Sequence, residues 1–229
     1  MRQPPRLALR VRRATIRLID RARGSLASWI FEALYGSFAL CYDRISKFFF
    51  AGQWSVWQRT ALDHLEGGRV LELGYGTGDL ALEMCSRGYE VMGVDSSPRM
   101  HRFARVKLWR GGCPGTLLIG SSAALPLSDG SFDAVVSTFP SSYILSEETW
   151  TEAWRVLRIG GSFVIVLSGH LLAVDHRSKL LIRFHSLIYG KQRPTAHLDW
   201  AVTPGFDLRF ERHANAQGVA DLLIARKLV

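Results

Sequence analysis

Short apolar runs alternate with helical segments through the middle of the chain. Each helical segment has apolar residues spaced three or four apart and is followed by glycine, as expected at a helix end. The apolar runs predict five strands, at residues 69–73, 90–94, 116–119, 132–138 and 162–167, and the spacing predicts helices at 79–87, 98–110 and 146–159. This order predicts a doubly wound, mostly parallel α/β sheet with right-handed crossovers.

Two further strand-like runs lie near the end of the chain. Residues 207–212 and 220–226 flank the turn-forming residues 215–218, which predicts a hairpin that adds antiparallel pairing at the sheet edge. The predicted fold class is therefore α/β, with a Rossmann-like, mostly parallel sheet of seven strands, a C-terminal antiparallel hairpin and helices at the N-terminus. Residues 67–229 are expected to form this domain.

The segment before the sheet divides into two parts. Residues 1–24 place arginines on one helical stripe and apolar residues on a neighbouring one, which predicts a basic amphipathic helix. Residues 25–66 are predicted to form a helical cap and lead-in, with a helix at 54–65. The apolar run at 26–42 is short for a bilayer span and is interrupted by Glu32.

Net charge is concentrated at the N-terminus. The chain of 229 residues has a formal net charge of +9, and residues 1–24 hold eight arginines against one acid, Asp20, so the remaining residues are nearly neutral. This helix is suited to an anionic membrane surface. The alternatives are a solvated helix packed on the domain, a frayed extension, a nucleic-acid contact and an organelle transit peptide. No secretory signal is evident, so we expect a cytoplasmic protein, and membrane association through residues 1–24 is one interpretation of the basic helix.

The chain has three widely spaced cysteines and no cysteine or histidine spacing typical of a metal site. These features lead us to expect a reducing compartment and no structural metal.

A glycine-rich turn lies where the first strand meets the first helix of the sheet. A dinucleotide-binding GxGxxG pattern would need glycine at 74, 76 and 79, but position 79 is Asp and the third glycine is Gly78. The shorter GxGxG turn that is present disfavours binding of a dinucleotide pyrophosphate. Asp95 ends the next strand, where a carboxylate can accept both ribose hydroxyls of an adenosyl group.

Four sequence segments in this order resemble class I S-adenosylmethionine-dependent methyltransferases of the ubiquinone/menaquinone-biosynthesis-like group. They are VLELGYGTGDL at 70–80, VMGVDSSPRM at 91–100, ALPLSDGSFDAVVS at 124–137 and RVLRIGGSFVIV at 155–166. The resemblance covers residues 69–168 and implies the fold, S-adenosyl-L-methionine as cofactor and methyl transfer. It does not imply the acceptor.

The resemblance also implies a set of cofactor-binding residues. The glycines approach the methionine and ribose, Glu72 orients the loop or meets the methionine amino group through water, Asp95 binds the ribose, and serines flank the adenine. The full set is Tyr42, Glu72, Gly74, Tyr75, Gly76, Gly78, Asp95, Ser96, Ser121, Ser122, Thr138 and Phe139. The family commonly has Asp at position 121, so serine there puts cofactor affinity in doubt.

The methyl acceptor is expected to be a small molecule that is hydrophobic or lipid-like. Residues 137–143 do not match the Asn/Asp-Pro-Pro-aromatic tetrapeptide of nucleic-acid amino methylation, which disfavours nucleic acid. Residues 171–205 are rich in leucine and basic residues and are predicted to form a lid over an apolar acceptor. No catalytic residue is evident, and Tyr143 and His170 are the weak candidates for a base.

Three functions are compatible with these features. The first is transfer of the methyl group to that acceptor by in-line displacement. The alternatives are a catalytically idle adenosyl-binding scaffold and a nicotinamide-dependent oxidoreductase, against which Asp79 argues.

Overall fold

The computed structural model describes residues 52–113, 115–172 and 205–228. The helices are α1 (Gln53–Arg59), α2 (Asp79–Ser86), α3 (Pro98–Arg110) and α4 (Glu147–Val156), with 3-10 turns at Thr60–His64 and Ser142–Leu145. The strands are β1 (Arg69–Leu73), β2 (Glu90–Asp95), β3 (Thr116–Ile119), β4 (Phe132–Thr138), β5 (Leu157–Leu171), β6 (Phe206–Ala214) and β7 (Gly218–Lys227).

The strands form one seven-stranded sheet in the order β3-β2-β1-β4-β5-β7-β6. Strands β1 to β5 pair in parallel, and β7 pairs antiparallel with both β5 and β6. This arrangement confirms the predicted fold class. The order reverses between β1 and β4, and at such a reversal the carboxyl ends of neighbouring strands border a crevice that can hold a ligand.

Hydrophobic layers cover both faces of the sheet because successive strand residues point to opposite sides. Val70 of β1 packs with α1, the first 3-10 turn and α2, whereas Leu71 and Leu73 pack with α4 on the other face. Trp57 and Trp150 are the largest fully buried side chains of the two layers.

Two helices begin within one residue of the positions that the sequence predicts. The Ser97 hydroxyl accepts a hydrogen bond from Met100 N at the start of α3, and the Ser146 hydroxyl accepts one from Thr149 N at the start of α4. Each bond satisfies a backbone donor that the helix leaves unpaired.

The predicted end of the fourth helix is wrong. Helix α4 ends at Val156, and β5 begins at Leu157 rather than at residue 162. Gly160 and Gly161 are not a helix end but part of an irregularity in the pairing of β5 with β4. At Gly161 a Cβ atom would lie 2.7 Å from the carbonyl oxygen of Asp133, so only glycine fits without displacement.

The cysteine interpretation is also corrected, because the structure joins Cys85 and Cys113 in a disulfide. The two residues are 28 positions apart, yet the crossover through α3 brings the end of α2 beside the turn that precedes β3. Spacing alone does not reveal such a long-range approach.

Several predictions lie outside the described residues. They include the basic helix at 1–24, most of the 25–66 cap and the lid at 171–205. Within the described ranges, no helix has the length and apolarity needed to span a membrane.

Candidate functional site

A cavity of about 350 Å³ lies at the carboxyl ends of β1, β2 and β4. Its volume is in the range of small-molecule and cofactor sites. The lining residues are Gly74, Val94, Asp95, Ser96, Ser97, Gly120, Ser121, Ser122, Thr138, Phe139, Pro140, Ser141 and Tyr143. Seven of the predicted cofactor residues are thus brought together: Gly74, Asp95, Ser96, Ser121, Ser122, Thr138 and Phe139.

Asp95 connects the glycine turn to the end of β2. One carboxylate oxygen accepts a hydrogen bond from Gly76 N at 2.9 Å, and the other accepts one from Ser97 N at 2.8 Å. Burial raises the pKa of Asp95, and the bonds from Ser97 and Gly76 act in the opposite direction. Each oxygen has a second lone pair, so the carboxylate can still accept a hydroxyl from a ligand.

Glu72 lies beneath the glycine turn and is 1% exposed. Burial, followed by the charges of Asp95 and Asp79, raises the pKa of Glu72 well above its usual range, and a hydrogen bond from Ala81 N partly opposes this. Its Oε2 atom has no hydrogen-bond partner among the described residues. A buried carboxylate oxygen without a partner is costly, and an ammonium group or a bridging water would satisfy it.

The turn from Gly74 to Gly78 depends on glycine at specific positions. Gly76 has φ of 52°, and a Cβ atom built there would point into open space. At Gly74, with φ of 74°, a Cβ atom would lie 2.5 Å from the Tyr143 hydroxyl. The turn therefore leaves room for a ligand at Gly76 and for close packing at Gly74.

The opposite side of the cavity is formed by the residues that follow β4. Phe139 has φ of 50°, the only left-handed conformation of a non-glycine residue in the described ranges. Its ring stacks on Trp54 with centroids 4.0 Å apart, and Trp57 meets it edge-on. Thr138 accepts a hydrogen bond from Gln58 Nε2 at 3.1 Å. Strained conformations of this kind are concentrated at functional sites.

Tyr143 lines the cavity, but its hydroxyl is already engaged. The hydroxyl donates to the Leu73 carbonyl oxygen at 2.9 Å and lies 2.6 Å from Ser137 Oγ. These contacts connect the segment after β4 to the end of β1, which suits a positioning role for Tyr143.

His170, the other candidate base, is not among the cavity-lining residues. It lies near the end of β5, with Nε2 3.2 Å from Ser168 Oγ and 4.0 Å from a carboxylate oxygen of Asp221.

Some predicted cofactor residues lie behind the cavity. The Tyr75 side chain is 3% exposed, and its hydroxyl lies 3.0 Å from His101 Nδ1, so the ring fills space between β2 and α3. A Cβ atom at Gly78 would lie 3.0 Å from Ala104, which makes this glycine a helix-packing position. Tyr42 lies outside the described residues.

Three contributors to the site do not follow from the sequence pattern. Trp54 and Gln58 reach the Thr138–Phe139 segment from α1, and Ser137 anchors Tyr143. The aromatic content of the lead-in was a signal for Trp54, whereas the register of Gln58 depends on how α1 crosses the sheet.

Comparison with known proteins identifies the domain that carries this site. Residues 70–161 match the family described as "Methyltransferase domain". The chain is 34% identical over 144 residues to a ubiquinone/menaquinone biosynthesis C-methyltransferase of Geobacter sp. (strain M21), covering 59% of this chain and 61% of that one. It is 37% identical over 139 residues to a demethylmenaquinone methyltransferase of Thermus thermophilus, covering 58% and 63%. The matches thus span about three fifths of the length of these relatives.

Solved structures show the same fold. A phosphoethanolamine N-methyltransferase of Haemonchus contortus, in complex with phosphomonomethylethanolamine and S-adenosylhomocysteine, superposes with a TM-score of 0.57 at 18% identity, covering 78% of this chain and 53% of that one. A methyltransferase of Methanosarcina mazei gives 0.50 at 18% identity, covering 73% and 97%. Residues 70–161 thus match a methyltransferase domain, and the chain is similar to methyltransferases of the ubiquinone/menaquinone group.

Proposed function

We propose that this protein binds S-adenosyl-L-methionine in the cavity at the ends of β1, β2 and β4 and transfers its methyl group to a small hydrophobic or lipid-like acceptor. One observation carries the proposal: a single cavity of about 350 Å³ is lined by Gly74 and Asp95 on one side and by Thr138 and Phe139 on the other. Residues predicted to hold the cofactor therefore meet residues predicted to face the reacting group.

The polar groups around the cavity suit the two ends of this cofactor. The Asp95 carboxylate can accept ribose hydroxyls while it holds the Gly76 and Ser97 amides. Glu72 does not line the cavity, but it lies beneath the glycine turn, and its unpartnered Oε2 suits the methionine ammonium, directly or through water. Ser121 offers a hydroxyl at the adenine end, although its Oγ already accepts a hydrogen bond from Ala123 N.

When bound, the cofactor supplies a methyl group on a sulfonium, which is already a strong electrophile. The chain's task is then to hold the acceptor in line and to exclude water. Phe139, stacked on Trp54, gives the wall beside Thr138 an aromatic surface. A strong base is not required for a nucleophile that is already activated, which agrees with the engaged hydroxyl of Tyr143.

The proposal of a hydrophobic acceptor has two supports. The ring of Phe139 lines the cavity and is backed by the stacked ring of Trp54. The relatives in Geobacter and Thermus are described as quinone-biosynthesis methyltransferases, so a quinone precursor is the first acceptor to test, followed by phospholipid headgroups.

Asp79 argues against the oxidoreductase alternative. It begins α2, where a dinucleotide pyrophosphate would lie, and its carboxylate pairs with Lys107 Nζ at 2.8 Å. A dinucleotide-binding turn would have glycine at this position, and Asp79 departs from that pattern.

Two measurements test the proposal. Titration calorimetry of the full chain should show saturable binding of S-adenosylmethionine and no binding of NAD. Incubation with a demethylated quinone precursor should then release S-adenosylhomocysteine. Binding without turnover on any acceptor would favour the scaffold alternative, and tight NAD binding without S-adenosylmethionine binding would contradict the proposal.

A further inference from the structure

Two histidines and a glutamate meet on the outer part of the sheet, away from the cavity. His64 ends the 3-10 turn that precedes β1, whereas Glu211 and His213 lie on β6, the strand at the edge of the sheet beside β7. All three side chains are partly buried, with exposures of 18%, 21% and 29% in the order His64, Glu211 and His213. Because strand side chains alternate, Glu211 and His213 share one face of β6.

The distances between their donor atoms are close to those of a tetrahedral metal site. The two Nε2 atoms are 3.1 Å apart, and Glu211 Oε2 lies 3.6 Å from His64 Nε2 and 3.4 Å from His213 Nε2. Zinc binds such donors at about 2.0–2.2 Å, so tetrahedral geometry separates neighbouring donors by roughly 3.3–3.5 Å. The spacing to the carboxylate is longer than a good hydrogen bond but suits shared coordination.

The orientation of the side chains points to the same shared position. The imidazole planes are perpendicular, with centroids 5.2 Å apart, so each ring directs its Nε2 atom to the cluster without blocking the other. Arg209 Nε binds the other glutamate oxygen, Oε1, at 3.0 Å and leaves Oε2 towards the histidines. A partner of this kind on the far side of a ligand fixes its orientation.

From this geometry we propose that His64, Glu211 and His213 bind one zinc-type transition metal ion, with water at the fourth position. Two imidazoles and one carboxylate suit zinc and disfavour magnesium, which prefers oxygen ligands. The ion would join residues 149 positions apart, and so would connect the segment before β1 to the C-terminal hairpin. Its role is that of a cross-link, because the cluster shares no residue with the cavity lining.

The test uses the untagged full chain after removal of metal with EDTA. Calorimetry with zinc chloride should give one site per chain, and zinc should raise the midpoint of thermal unfolding. Cobalt should give the intense visible absorption of a tetrahedral complex, whereas magnesium should produce neither effect.

Variants distinguish zinc binding at this site from adventitious zinc binding elsewhere on the chain. His213→Gln and Glu211→Gln should each weaken zinc binding by at least about tenfold and abolish the zinc-dependent thermal shift. His170→Gln makes the same change elsewhere in the sheet and should leave both unchanged. Circular dichroism without metal checks that the variants fold.

No saturable zinc binding to the native chain would overturn the proposal and leave a hydrogen-bonded histidine pair. Zinc binding that His213→Gln and Glu211→Gln do not alter would also overturn it, because other groups would then be the ligands.

Discussion

Glu72 has a buried carboxylate that the described residues satisfy only in part. Its backbone partner is Ala81 N, while Oε2 is left without a hydrogen bond next to the charges of Asp95 and Asp79. Such an arrangement lowers the stability of the ligand-free protein. A ligand that brings a positive charge to Oε2 would offset this loss of stability.

We expect Glu72→Gln to have opposite effects on stability and on binding. Without cofactor, the amide cannot ionise in this buried position and should raise the free energy of unfolding at neutral pH by about 1–3 kcal/mol. The pKa of Glu72 is raised in the folded state, so the native chain loses stability as pH rises from the ordinary carboxyl range through the folded pKa. The gain from Gln should therefore disappear at acid pH.

Urea unfolding with and without S-adenosylmethionine measures both effects. The cofactor should stabilise the native chain more than Glu72→Gln. An equal shift in the two proteins would contradict a role for Glu72 in binding.

Asp95 gives a second residue-scale prediction. Replacing it with Ala removes the acceptor proposed for the ribose, and we expect S-adenosylmethionine binding to weaken by about 1–3 kcal/mol in calorimetry. Asp95→Asn retains an acceptor oxygen and distinguishes loss of binding from collapse of the turn at Gly76. Asp207→Ala, an exposed change on β6, is the control. Unchanged affinity in Asp95→Ala would remove the ribose assignment.

Residues of the site differ in how far the sequence predicts them. Gly74 and Asp95 follow from local patterns, because a strand end fixes where each of them lies. The inward turn of Tyr75 depends on the absence of a side chain at Gly93, against which its ring packs. That contact joins the turn after β1 to β2 and is not visible in the motif itself.

One helix holds the loop that forms the serine side of the cavity. Arg155 of α4 donates to the carbonyl oxygens of Leu125 and Leu127 and pairs with Asp129. Glu152, also on α4, accepts a hydrogen bond from Leu125 N at 2.6 Å. Helix α4 thus fixes the chain that runs from the cavity to β4.

We expect Arg155→Gln to loosen this loop. The loss of hydrogen bonds to a charged group should lower the free energy of unfolding by about 1–3 kcal/mol at neutral pH. The hydrogen bond from Arg155 lowers the pKa of Glu152, so this stability is present above the ordinary carboxyl pKa and is lost as pH falls through the folded pKa.

Denaturation of the native chain and the variant at neutral and at acid pH should show a difference that shrinks in acid. Arg105→Gln, an exposed change on α3, is the matched control. A difference that is independent of pH would exclude the Glu152 contribution.

Most strands could be predicted from the sequence, and the error at the start of β5 has a physical cause. Strands β1 to β4 follow from runs of apolar residues between turns. The start of β5 was missed because Gly160-Gly161 has the same appearance at a helix end and at a bulge. Only the pairing with β4 distinguishes the two.

At the scale of the whole molecule, the segment with most of the net positive charge is separate in sequence from the domain that holds the cavity. Residues 1–24 contain eight of the arginines, whereas the cavity belongs to the domain that begins with β1. We therefore expect deletion of residues 1–24 to abolish binding to vesicles that contain anionic lipid, while S-adenosylmethionine affinity is unchanged.

Vesicle co-sedimentation at low and high salt measures this expectation, and neutral vesicles are the control. Binding of the full chain should weaken with salt because exposed charges are screened. Equal sedimentation of the full and the shortened chain would contradict the membrane proposal.

The position of β7 has a consequence for synthesis of the protein. This strand follows β6 in sequence but lies between β5 and β6 in the sheet, and it supplies the buried residues Ala220, Leu222, Leu223 and Ala225. Until residues 218–227 leave the ribosome, the backbone edge of β5 has no partner and β6 has no place in the sheet. The nascent chain therefore carries an open, apolar edge at residues 163–166 until β7 has been synthesised, and during that time the edge can pair with other chains.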